Sequence, residues 1–315
     1  MKRLAYIDFI KVFAMFIVTI GHCAQALSCQ VFPARYIPND LFISIHMPLF
    51  MIASGFVLNF DKIRETPTYG YVKNKFQRLI IPLLVWLGIF CIITLQKPTF
   101  HTYWYLSALF FSLVTLKVFA SFIKNNALLA IVCILFILIN PFSIVSHTNF
   151  MFPFLMYGFL LKNIINKMNL YYLLPFGLGF IFLYIFYWSI EHTVYLAPLD
   201  VMNLNTNVLY SFILRLTIGI LGSTSLFLLA KRYDNSNVIK KISKYGRYTL
   251  IFYTMTTVIN GITRRIFLFA NISITSPLLL DLTSIIFALL QMYIIYVFAK
   301  NVEGRKTLSK LLLGN

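Results

Sequence analysis

The chain has 315 residues, of which 60% are hydrophobic and only 11% are charged, and its formal net charge is +18. A soluble domain carries about 25% charged residues, so this composition excludes a water-soluble globular domain. The apolar residues recur in long blocks, which is typical of membrane-spanning helices. Most basic residues lie at the ends of these blocks, where anionic lipids and membrane topology account for them. We therefore expect membrane lipids, and no nucleic acid, among the partners.

The apolar blocks predict an all-α fold, a polytopic transmembrane helical bundle that forms a single integral-membrane domain over residues 1–315. A span needs about 20 apolar residues. About ten spans are expected, near 6–27, 38–60, 78–96, 103–120, 127–142, 150–164, 170–190, 207–230, 248–270 and 277–299. Lys and Arg concentrate in alternate loops, and the positive-inside rule therefore places the N and C termini in the cytoplasm.

The four cysteines, Cys23, Cys29, Cys91 and Cys133, show no metal-ligand spacing. We therefore expect no metal site. Buried thiols that pack as small apolar groups are the favoured interpretation. A disulfide between Cys23 and Cys29 is the alternative.

The first apolar block carries three ionisable side chains, Asp8, Lys11 and His22. Such groups are costly inside a span, so each indicates a functional site. The interval from Lys11 to His22 is almost three whole helical turns, which puts both on one side and roughly 16 Å apart along the axis. Asp8 and Lys11 have the spacing of a helical pair. A lysine that snorkels to the interface and a boundary histidine are the alternative interpretation.

The second block contains His46 and Pro48, followed by Ser54 and Gly55. The proline predicts a broken helix that lines a cavity, with His46 facing it. Gly55 would allow a neighbouring helix to approach closely. Packing alone would explain Pro48 and Gly55 equally well.

A cluster of basic residues, Lys73, Lys75 and Arg78, precedes the third block. Lys75 and Arg78 share a face if this stretch is helical, and such a pair suits a phosphate group. A basic loop that only sets membrane topology is the alternative.

Polar and aromatic residues mark two predicted outer boundaries. His101, Trp104 and Tyr105 precede or begin the fourth block, where they would form either an aromatic belt or a stacking wall for a sugar ring. Arg264 and Arg265 lie near the outer end of the ninth block. They would meet an anionic acceptor or a lipid phosphate, unless they merely mark the boundary.

Together these residues resemble the membrane-bound acyltransferase 3 family, whose members acylate sugars, polysaccharides and lipid-linked glycans. The resemblance is dense over residues 3–110. The matching segments are Arg3 with Asp8 and Lys11 through His22, His46 to Phe50 with Ser54 and Gly55, Lys75 to Arg78, and His101 to Leu106. The second of the two basic positions in the family's cytoplasmic motif is matched by Arg78, whereas Lys75 replaces the first arginine.

The resemblance is weaker later in the chain. Phe154 to Gly158 looks like a glycine-bearing span of the family, and Gly246 to Leu250 with Tyr253 resembles a late motif. Many members carry a histidine three residues after that tyrosine. Thr256 stands at this position here, which indicates a different acceptor or the loss of a role for the late histidine.

The resemblance implies a membrane O-acyltransferase, most simply an O-acetyltransferase, in the bacterial cytoplasmic (inner) membrane. It would move an acyl group from cytoplasmic acyl-CoA to a hydroxyl of a cell-surface or lipid-linked glycan. Acetyl-CoA would be a co-substrate, and no tightly bound cofactor is expected. The residues that we expect to bind the acceptor or line the cavity are His46, Ser54, His101, Trp104 and Tyr105, with Arg264 and Arg265 added from their position at the predicted outer boundary.

Within that mechanism, Lys75 and Arg78 with Lys73 would bind the CoA phosphates, and the pantetheine arm would pass Lys11. His22 would be the general base, because an imidazole titrates close to neutral pH. A covalent acyl-histidine is an alternative, and Lys11 would either steady the donor or pair with Asp8.

A transporter or flippase of a glycan or lipid-linked intermediate is the alternative function. Many spans with few intramembrane charges permit it, and the sequence contains no inverted repeat that supports it. Dependence on His22 and on acyl-CoA separates the two functions.

Overall fold

A computed structural model describes residues 4–30, 37–95, 97, 102–139, 147–189 and 206–314, except for the side chains at 37–39 and 42. Within these ranges every regular element is a helix, which confirms the all-α prediction. The helices are α1 (Ala5–Ser28), α2 (Ile37–Phe56), α3 (Phe60–Glu65), α4 (Thr68–Lys75), α5 (Ile81–Thr94), α6 (Trp104–Ala120), α7 (Asn126–Ile139), α8 (Thr148–Ile164), α9 (Leu173–Tyr187), α10 (Thr206–Arg232), α11 (Asn237–Ser243), α12 (Thr249–Phe269), α13 (Pro277–Glu303) and α14 (Lys306–Leu308).

Several of these helices have the length and hydropathy of membrane spans, as the sequence predicts. Among the described residues, 5 helical segments are long and apolar enough to cross a bilayer: Ala5–Ser28, Thr68–Thr94, Leu170–Tyr187, Thr206–Arg232 and Pro277–Glu303. Shorter apolar helices cover Ile43–Phe56, Trp104–Ala120 and Asn126–Ile139. The chain is thus a helical membrane protein, while the count of ten spans and the cytoplasmic termini stay predictions.

The helix that contains the third predicted span begins well before position 78. It starts at Thr68 with α4 and continues through a π-helical turn, Phe76–Ile80, into α5. Pro82 accounts for this turn, because proline lacks the N–H that α-helical bonding requires and its ring crowds the preceding turn. The basic cluster therefore lies on helical backbone.

The expected break in the second span does not occur. α2 is helical from Ile37 to Phe56 with Pro48 in its interior. The Pro48 side chain instead packs closely on α10, where a β-carbon added to Gly219 would lie 2.9 Å from the Pro48 Cβ. A proline inside a membrane helix is tolerated when its surroundings satisfy the freed backbone groups.

Two compact units make up the fold, and each draws on separated parts of the sequence. The first unit comprises Met1–Met47, Ile81–Thr102 and Tyr233–Asn315, and the second comprises Pro48–Ile80 and Tyr103–Arg232. Whether both belong to a single domain stays a prediction.

In the first unit, α1 packs against α12 and α13. Thr19 contacts Thr256, and further along both helices the Cys29 carbonyl accepts a hydrogen bond from Arg264, so α1 and α12 run parallel. α13 runs the opposite way, because its Leu280 packs near the end of α1 and its Ala288 packs nearer the middle, against Cys23. Two neighbours of opposite direction thus flank α1.

Later parts of the chain also hold both ends of α1. The Tyr6 N–H donates to Asp234 Oδ1 over 2.9 Å, which satisfies one of the orphan donors of the helix start. The Leu27 carbonyl accepts from the Ile274 N–H over 3.0 Å. α1 is therefore fixed along its length as well as at its termini.

In the second unit, α2 and α8 cross with their backbones in contact through two glycines. A β-carbon at Gly55 would overlap the carbonyl oxygen of Leu155, and one at Gly158 would overlap the carbonyl oxygen of Ile52. The arrangement is reciprocal, with a glycine of each helix facing the backbone of the other. Small residues at such crossings let membrane helices gain close packing, as the sequence predicts for Gly55.

Three lysines of the second unit donate hydrogen bonds to backbone carbonyls. Lys117, which is buried, donates from Nζ to the carbonyl of Ile63 over 2.8 Å, near the end of α3. Lys162 donates to Leu58 over 2.9 Å, and Lys231 donates to Ile165 over 2.6 Å. The last carbonyls of helices lack intrahelical partners, and lysine is a suitable donor to them.

Candidate active site

The proposed base, His22, lies on α1 with its side chain half-buried. Its Nδ1 atom is 3.1 Å from the Oε1 atom of Gln25, one helical turn further along. An amide oxygen can only accept a hydrogen bond, so Nδ1 is the donor in this contact. A neutral imidazole that donates from Nδ1 carries its lone pair on Nε2, which is the atom a general base needs.

A contact with α12 lies one turn before His22. Thr19 and Thr256 are both fully buried, and their hydroxyl oxygens are 3.4 Å apart. Thr19 also donates to the Met15 carbonyl over 2.8 Å, so Thr256 supplies the proton shared with Thr19. Since Thr19 and His22 are one turn apart on the same helix, this contact helps to fix the rotation of α1 at the histidine.

A second buried polar contact joins α12 to α13. The Gln291 side-chain amide donates from Nε2 to Asn260 Oδ1 over 2.8 Å, and both residues are buried. Asn260 follows Thr256 by about one turn, so the two polar contacts of α12 lie in sequence along it. The three helices around the His22 region are thus tied together by side-chain hydrogen bonds.

Asp8 and Lys11 lie nearer the start of α1. Asp8 is buried, and Lys11 is half-buried. Gly246 packs on Asp8, since a β-carbon at Gly246 would lie 2.6 Å from the Asp8 Cβ. α1 is continuous from Ala5 to Ser28, which the predicted alignment of Lys11 with His22 requires. The roles of Asp8 and Lys11 stay predictions.

The turn that contains Gly246 is itself docked on the end of α13. Arg247 forms an ion pair with Glu303 over 2.9 Å, and the Tyr248 hydroxyl donates to the same carboxylate over 2.6 Å. The late motif of the sequence, Gly246 to Leu250, therefore has a structural role. Its contacts with Glu303 hold the turn that contains Gly246 against Asp8.

The two predicted outer arginines differ in their surroundings. Arg264 is half-buried and donates to the Cys29 carbonyl over 3.2 Å, at the end of α1. Cys29 has a φ of 58°, which is the left-handed conformation common after a helix end. Arg265 is exposed. Arg264 thus has a stabilising contact within the first unit, and any contact of either arginine with an acceptor stays a prediction.

All four cysteines are free thiols. Cys23 and Cys133 are buried, whereas Cys29 and Cys91 are partly accessible. The alternative of a disulfide between Cys23 and Cys29 is therefore wrong for this structure.

The basic cluster of the second unit presents charges from one helical stretch. Lys73 and Arg78 are exposed, and Lys75 is half-buried. The ammonium groups of Lys73 and Lys75 lie 5.7 and 5.3 Å from the ring centres of Tyr69 and Tyr71, respectively. Lys75 is the last residue of α4 and Arg78 lies in the π-helical turn that follows, so the two residues are three positions apart on one continuous helical stretch. Phosphate binding by these residues stays a prediction.

Three of the predicted acceptor residues meet in the second unit. The Ser54 hydroxyl lies 3.1 Å from the Tyr105 hydroxyl, and the rings of Tyr105 and Trp104 are 6.3 Å apart in an edge-to-face arrangement. Tyr105 also packs edge-to-face on Phe50 at 5.0 Å. α2 and the start of α6 thus form one aromatic wall with hydroxyl groups.

Two histidines were also predicted to contact the acceptor, and the structure describes His46. His46 belongs to the first unit, is buried, and donates from Nδ1 to the Ile43 carbonyl over 2.6 Å. His101 lies outside the described residues. A further histidine contacts the wall, because the His147 ring lies 5.0 Å from the Trp104 ring.

Comparison with known proteins gives the family. A family model described as an acyltransferase domain matches residues 4–297. The chain is 27% identical over 183 residues to the nodulation protein NolL of Mesorhizobium japonicum (strain LMG 29417 / CECT 9101 / MAFF 303099), covering 51% of this chain and 48% of the relative. It is 25% identical over 181 residues to the nodulation protein NolL of Sinorhizobium fredii (strain NBRC 101917 / NGR234), covering 51% and 49%.

The chain spans about half the length of the curated relatives it matches. No solved structure matches it significantly. The family match covers nearly the whole chain. It includes the helix with Lys11 and His22, and in the second unit the basic cluster and the aromatic wall. The chain therefore belongs to the membrane-bound acyltransferase 3 family.

Proposed function

We propose that this protein is a membrane O-acyltransferase, most simply an O-acetyltransferase, of the bacterial cytoplasmic membrane. It takes the acyl group from acyl-CoA on the cytoplasmic side and moves it to a hydroxyl of a cell-surface or lipid-linked glycan. The observation that carries the proposal is the half-buried His22 inside an apolar helix, with Nδ1 hydrogen-bonded to Gln25. Membership of an acyltransferase family supports the same chemistry.

His22 acts as the general base. Its Nε2 removes the proton of the acceptor hydroxyl while that oxygen attacks the carbonyl carbon of the thioester. A C–O bond forms, the C–S bond breaks, and the CoA thiolate takes up the proton from the imidazolium. Gln25 supports this role, because a donor bond from Nδ1 keeps the lone pair on Nε2. Positioned general-base catalysis contributes about 10²–10⁴-fold to such rates.

The phosphates of the donor bind to Lys75 and Arg78, with Lys73 beside them. Guanidinium and ammonium groups form charge-assisted hydrogen bonds to phosphate oxygens, and these are stronger than neutral ones. Lys11 either steadies the pantetheine arm or pairs with Asp8. Acetyl-CoA is then a co-substrate that leaves as CoA.

The acceptor sugar stacks on the wall of Trp104 and Tyr105, and Ser54 supports it through the Tyr105 hydroxyl. Aromatic faces suit the apolar faces of sugar rings, and nearby hydroxyls suit their rims. His46, His101, Arg264 and Arg265 are further candidates for contacts with the acceptor.

Release of the CoA thiol tests the proposal. Purified protein in detergent is given acetyl-CoA with and without a glycan acceptor, and the free thiol is recorded. We expect acceptor-dependent release that falls by about 10²-fold or more in His22→Gln, while CoA binding and the unfolding temperature stay as in the wild type. Equal turnover in the two proteins would remove His22 as the base. No turnover and no CoA binding with several acyl donors would overturn the enzyme and favour export of a glycan.

A further inference from the structure

A groove of the second unit lies between α9 and the end of α10. Its volume is about 1130 Å³. Pockets for small molecules commonly have about 300–1,000 Å³, so a ligand of considerable size fits here. Among the described residues that line the groove, none is a candidate for catalysis or for binding of the donor or the acceptor. The groove therefore calls for a ligand other than the two substrates.

The two helices that border the groove pack against each other in opposite directions. A β-carbon added to Gly179 would lie 3.3 Å from Leu221 Cδ1. One added to Gly177, earlier on α9, would lie 3.9 Å from the Oγ atom of Ser225, later on α10. The first turn of α9 therefore lies beside the last turn of α10, and the groove has two chemically different ends.

One end of the groove is polar and positively charged. Lys231, which is half-buried, and Arg232, which is exposed, line it from the end of α10. Asn166 and Asn169 add side-chain amides from the connection between α8 and α9. Of the described lining residues, two carry a positive charge and none carries a negative charge. An anionic group is the electrostatic complement of this end.

The ammonium group of Lys231 is held in place beside the groove. It donates to the Ile165 carbonyl over 2.6 Å, and this bond uses one of the three N–H donors of the ammonium. The contact therefore fixes the charge at the end of α8, where the polar end of the groove begins. Arg232 follows directly in the chain and places a second cation at the same end.

The rest of the groove is an apolar wall. Leu174, Leu178 and Ile181 line it from successive turns of α9, and all three side chains are exposed. The wall extends roughly 10 Å along the helix axis. It belongs to the segment Leu170–Tyr187, which is long and apolar enough to cross a bilayer. An acyl chain suits such a wall, because contact removes apolar surface from water or fills it in the bilayer.

We infer that this groove binds a phospholipid with an anionic head group. The head group lies at Lys231 and Arg232, and an acyl chain lies along α9. The positive-inside rule predicts this end of both helices on the cytoplasmic side, where the membrane surface is negatively charged. Basic pockets between membrane helices on that side commonly bind phosphate-bearing head groups. A soluble phosphate would use the cations but gain nothing from the apolar wall.

Lipid binding is measured by native mass spectrometry of the full-length protein after removal of its copurified lipids. The protein is titrated with phosphatidylglycerol and with phosphatidylcholine that carries the same acyl chains. Glycerol phosphate, which has the anionic group without the chains, is tested as a competitor. We expect phosphatidylglycerol to bind about tenfold more tightly than phosphatidylcholine, since two cations face the head group. Glycerol phosphate should compete at least about tenfold more weakly than phosphatidylglycerol.

Two variants test the two ends of the groove separately. Arg232→Gln should weaken phosphatidylglycerol binding about fivefold and leave phosphatidylcholine binding nearly unchanged. Lys167→Gln is the matched control, because Lys167 is an exposed cation near the groove that does not line it. Gly177→Leu should weaken binding of both lipids about tenfold, because the new side chain occupies the groove. Gly88→Leu adds the same side chain to another apolar helix, where no atom lies within 4 Å of the added β-carbon, and should change neither affinity.

Several results would overturn the lipid site. Equal binding of the two lipids by the wild type, or equal losses in Arg232→Gln and Lys167→Gln, would reduce the effect to general attraction by a basic surface. Competition by glycerol phosphate as strong as that by the lipid would assign the cations to a free anion. Displacement of the lipid by CoA would assign the groove to the donor, and a dimer that Gly177→Leu dissociates would assign it to a second copy. If Gly177→Leu does not fold, Arg232→Gln decides, because its exposed position tolerates the change.

Discussion

Gln25 follows His22 by one turn of α1, and its Oε1 atom lies 3.1 Å from the imidazole Nδ1. In many acid–base sites a carboxylate orients the histidine, and it also adds a negative charge. The neutral amide supplies the same directional acceptor without a buried charge. In an apolar span this matters, because an ionised carboxylate would be costly to keep there.

Removal of the Gln25 acceptor should slow catalysis while leaving the fold intact. Gln25→Met preserves length and loses the hydrogen bond, which is worth about 1–1.5 kcal/mol, so kcat should fall about tenfold. Gln25→Glu keeps an oxygen acceptor but adds a carboxylate that is costly in an apolar span, so it should recover only part of the rate. Steady-state kinetics with acetyl-CoA measures both variants. If Gln25→Met and the wild type have the same kcat, Gln25 has no part in orienting His22.

Loss of the basic pair should weaken donor binding through its phosphates. In the double variant Lys75→Met with Arg78→Gln we expect the KM for acetyl-CoA to rise about a hundredfold or more, since two charge-assisted hydrogen bonds of about 1.5–3 kcal/mol each are lost. A short acetyl thioester that lacks phosphates should react equally well with both proteins. Lys124→Gln, an exposed cation of the same unit, is the control. A similar loss with the phosphate-free thioester would show that the pair acts elsewhere.

The crossing of α2 and α8 should not accept a methyl group. Gly55→Ala places a β-carbon on the Leu155 carbonyl oxygen, so we expect a destabilisation of about 3 kcal/mol and a clearly lower unfolding temperature in detergent. Gly70→Ala is the control, because no atom lies within 4 Å of its added β-carbon. In a helix that change should be neutral or slightly stabilising. Equal unfolding temperatures for the two variants would contradict the close crossing.

Substitution of Arg264 and substitution of Arg265 should have different effects on the stability of the protein. Arg264→Gln removes the donor to the Cys29 carbonyl, and we expect a loss of about 1–2 kcal/mol. Arg265→Gln, at an exposed position, should change stability by less than about 0.5 kcal/mol. Thermal unfolding of both variants in the same detergent measures the difference. Matching losses would mean that charge, and not the carbonyl contact, is what stabilises this end of α1.

Much of the helical framework follows from the sequence because apolar length is a direct signal. The block predicted at 6–27 is α1 at Ala5–Ser28, and the one at 277–299 begins at Pro277 as expected. Apolar length is a poor signal for residues that are polar but helical. Positions 68–77 are too polar for a span, yet they are helical, since Lys and Asn reduce hydropathy without preventing helix formation. Pro48 shows the converse, a residue that predicts a break inside an intact helix.

The candidate site was predictable where it depends on one helix and unpredictable where distant segments meet. The spacing of Lys11 and His22 is local, and so is the spacing of His22 and Gln25, but an amide is a weaker signal of a partner for histidine than a carboxylate. The contact of Thr19 with Thr256 joins residues far apart in sequence, which composition does not reveal.

The three lysines that hold backbone carbonyls imply an order of assembly during synthesis. Synthesis begins at the N-terminus, so the Leu58 carbonyl can bind Lys162 only after 104 further residues have been made. Lys117 is made 54 residues after Ile63, and Lys231 is made 66 residues after Ile165. Each early connection is therefore completed by a helix inserted later, and the nascent second unit stays unfinished until α10 has entered the bilayer.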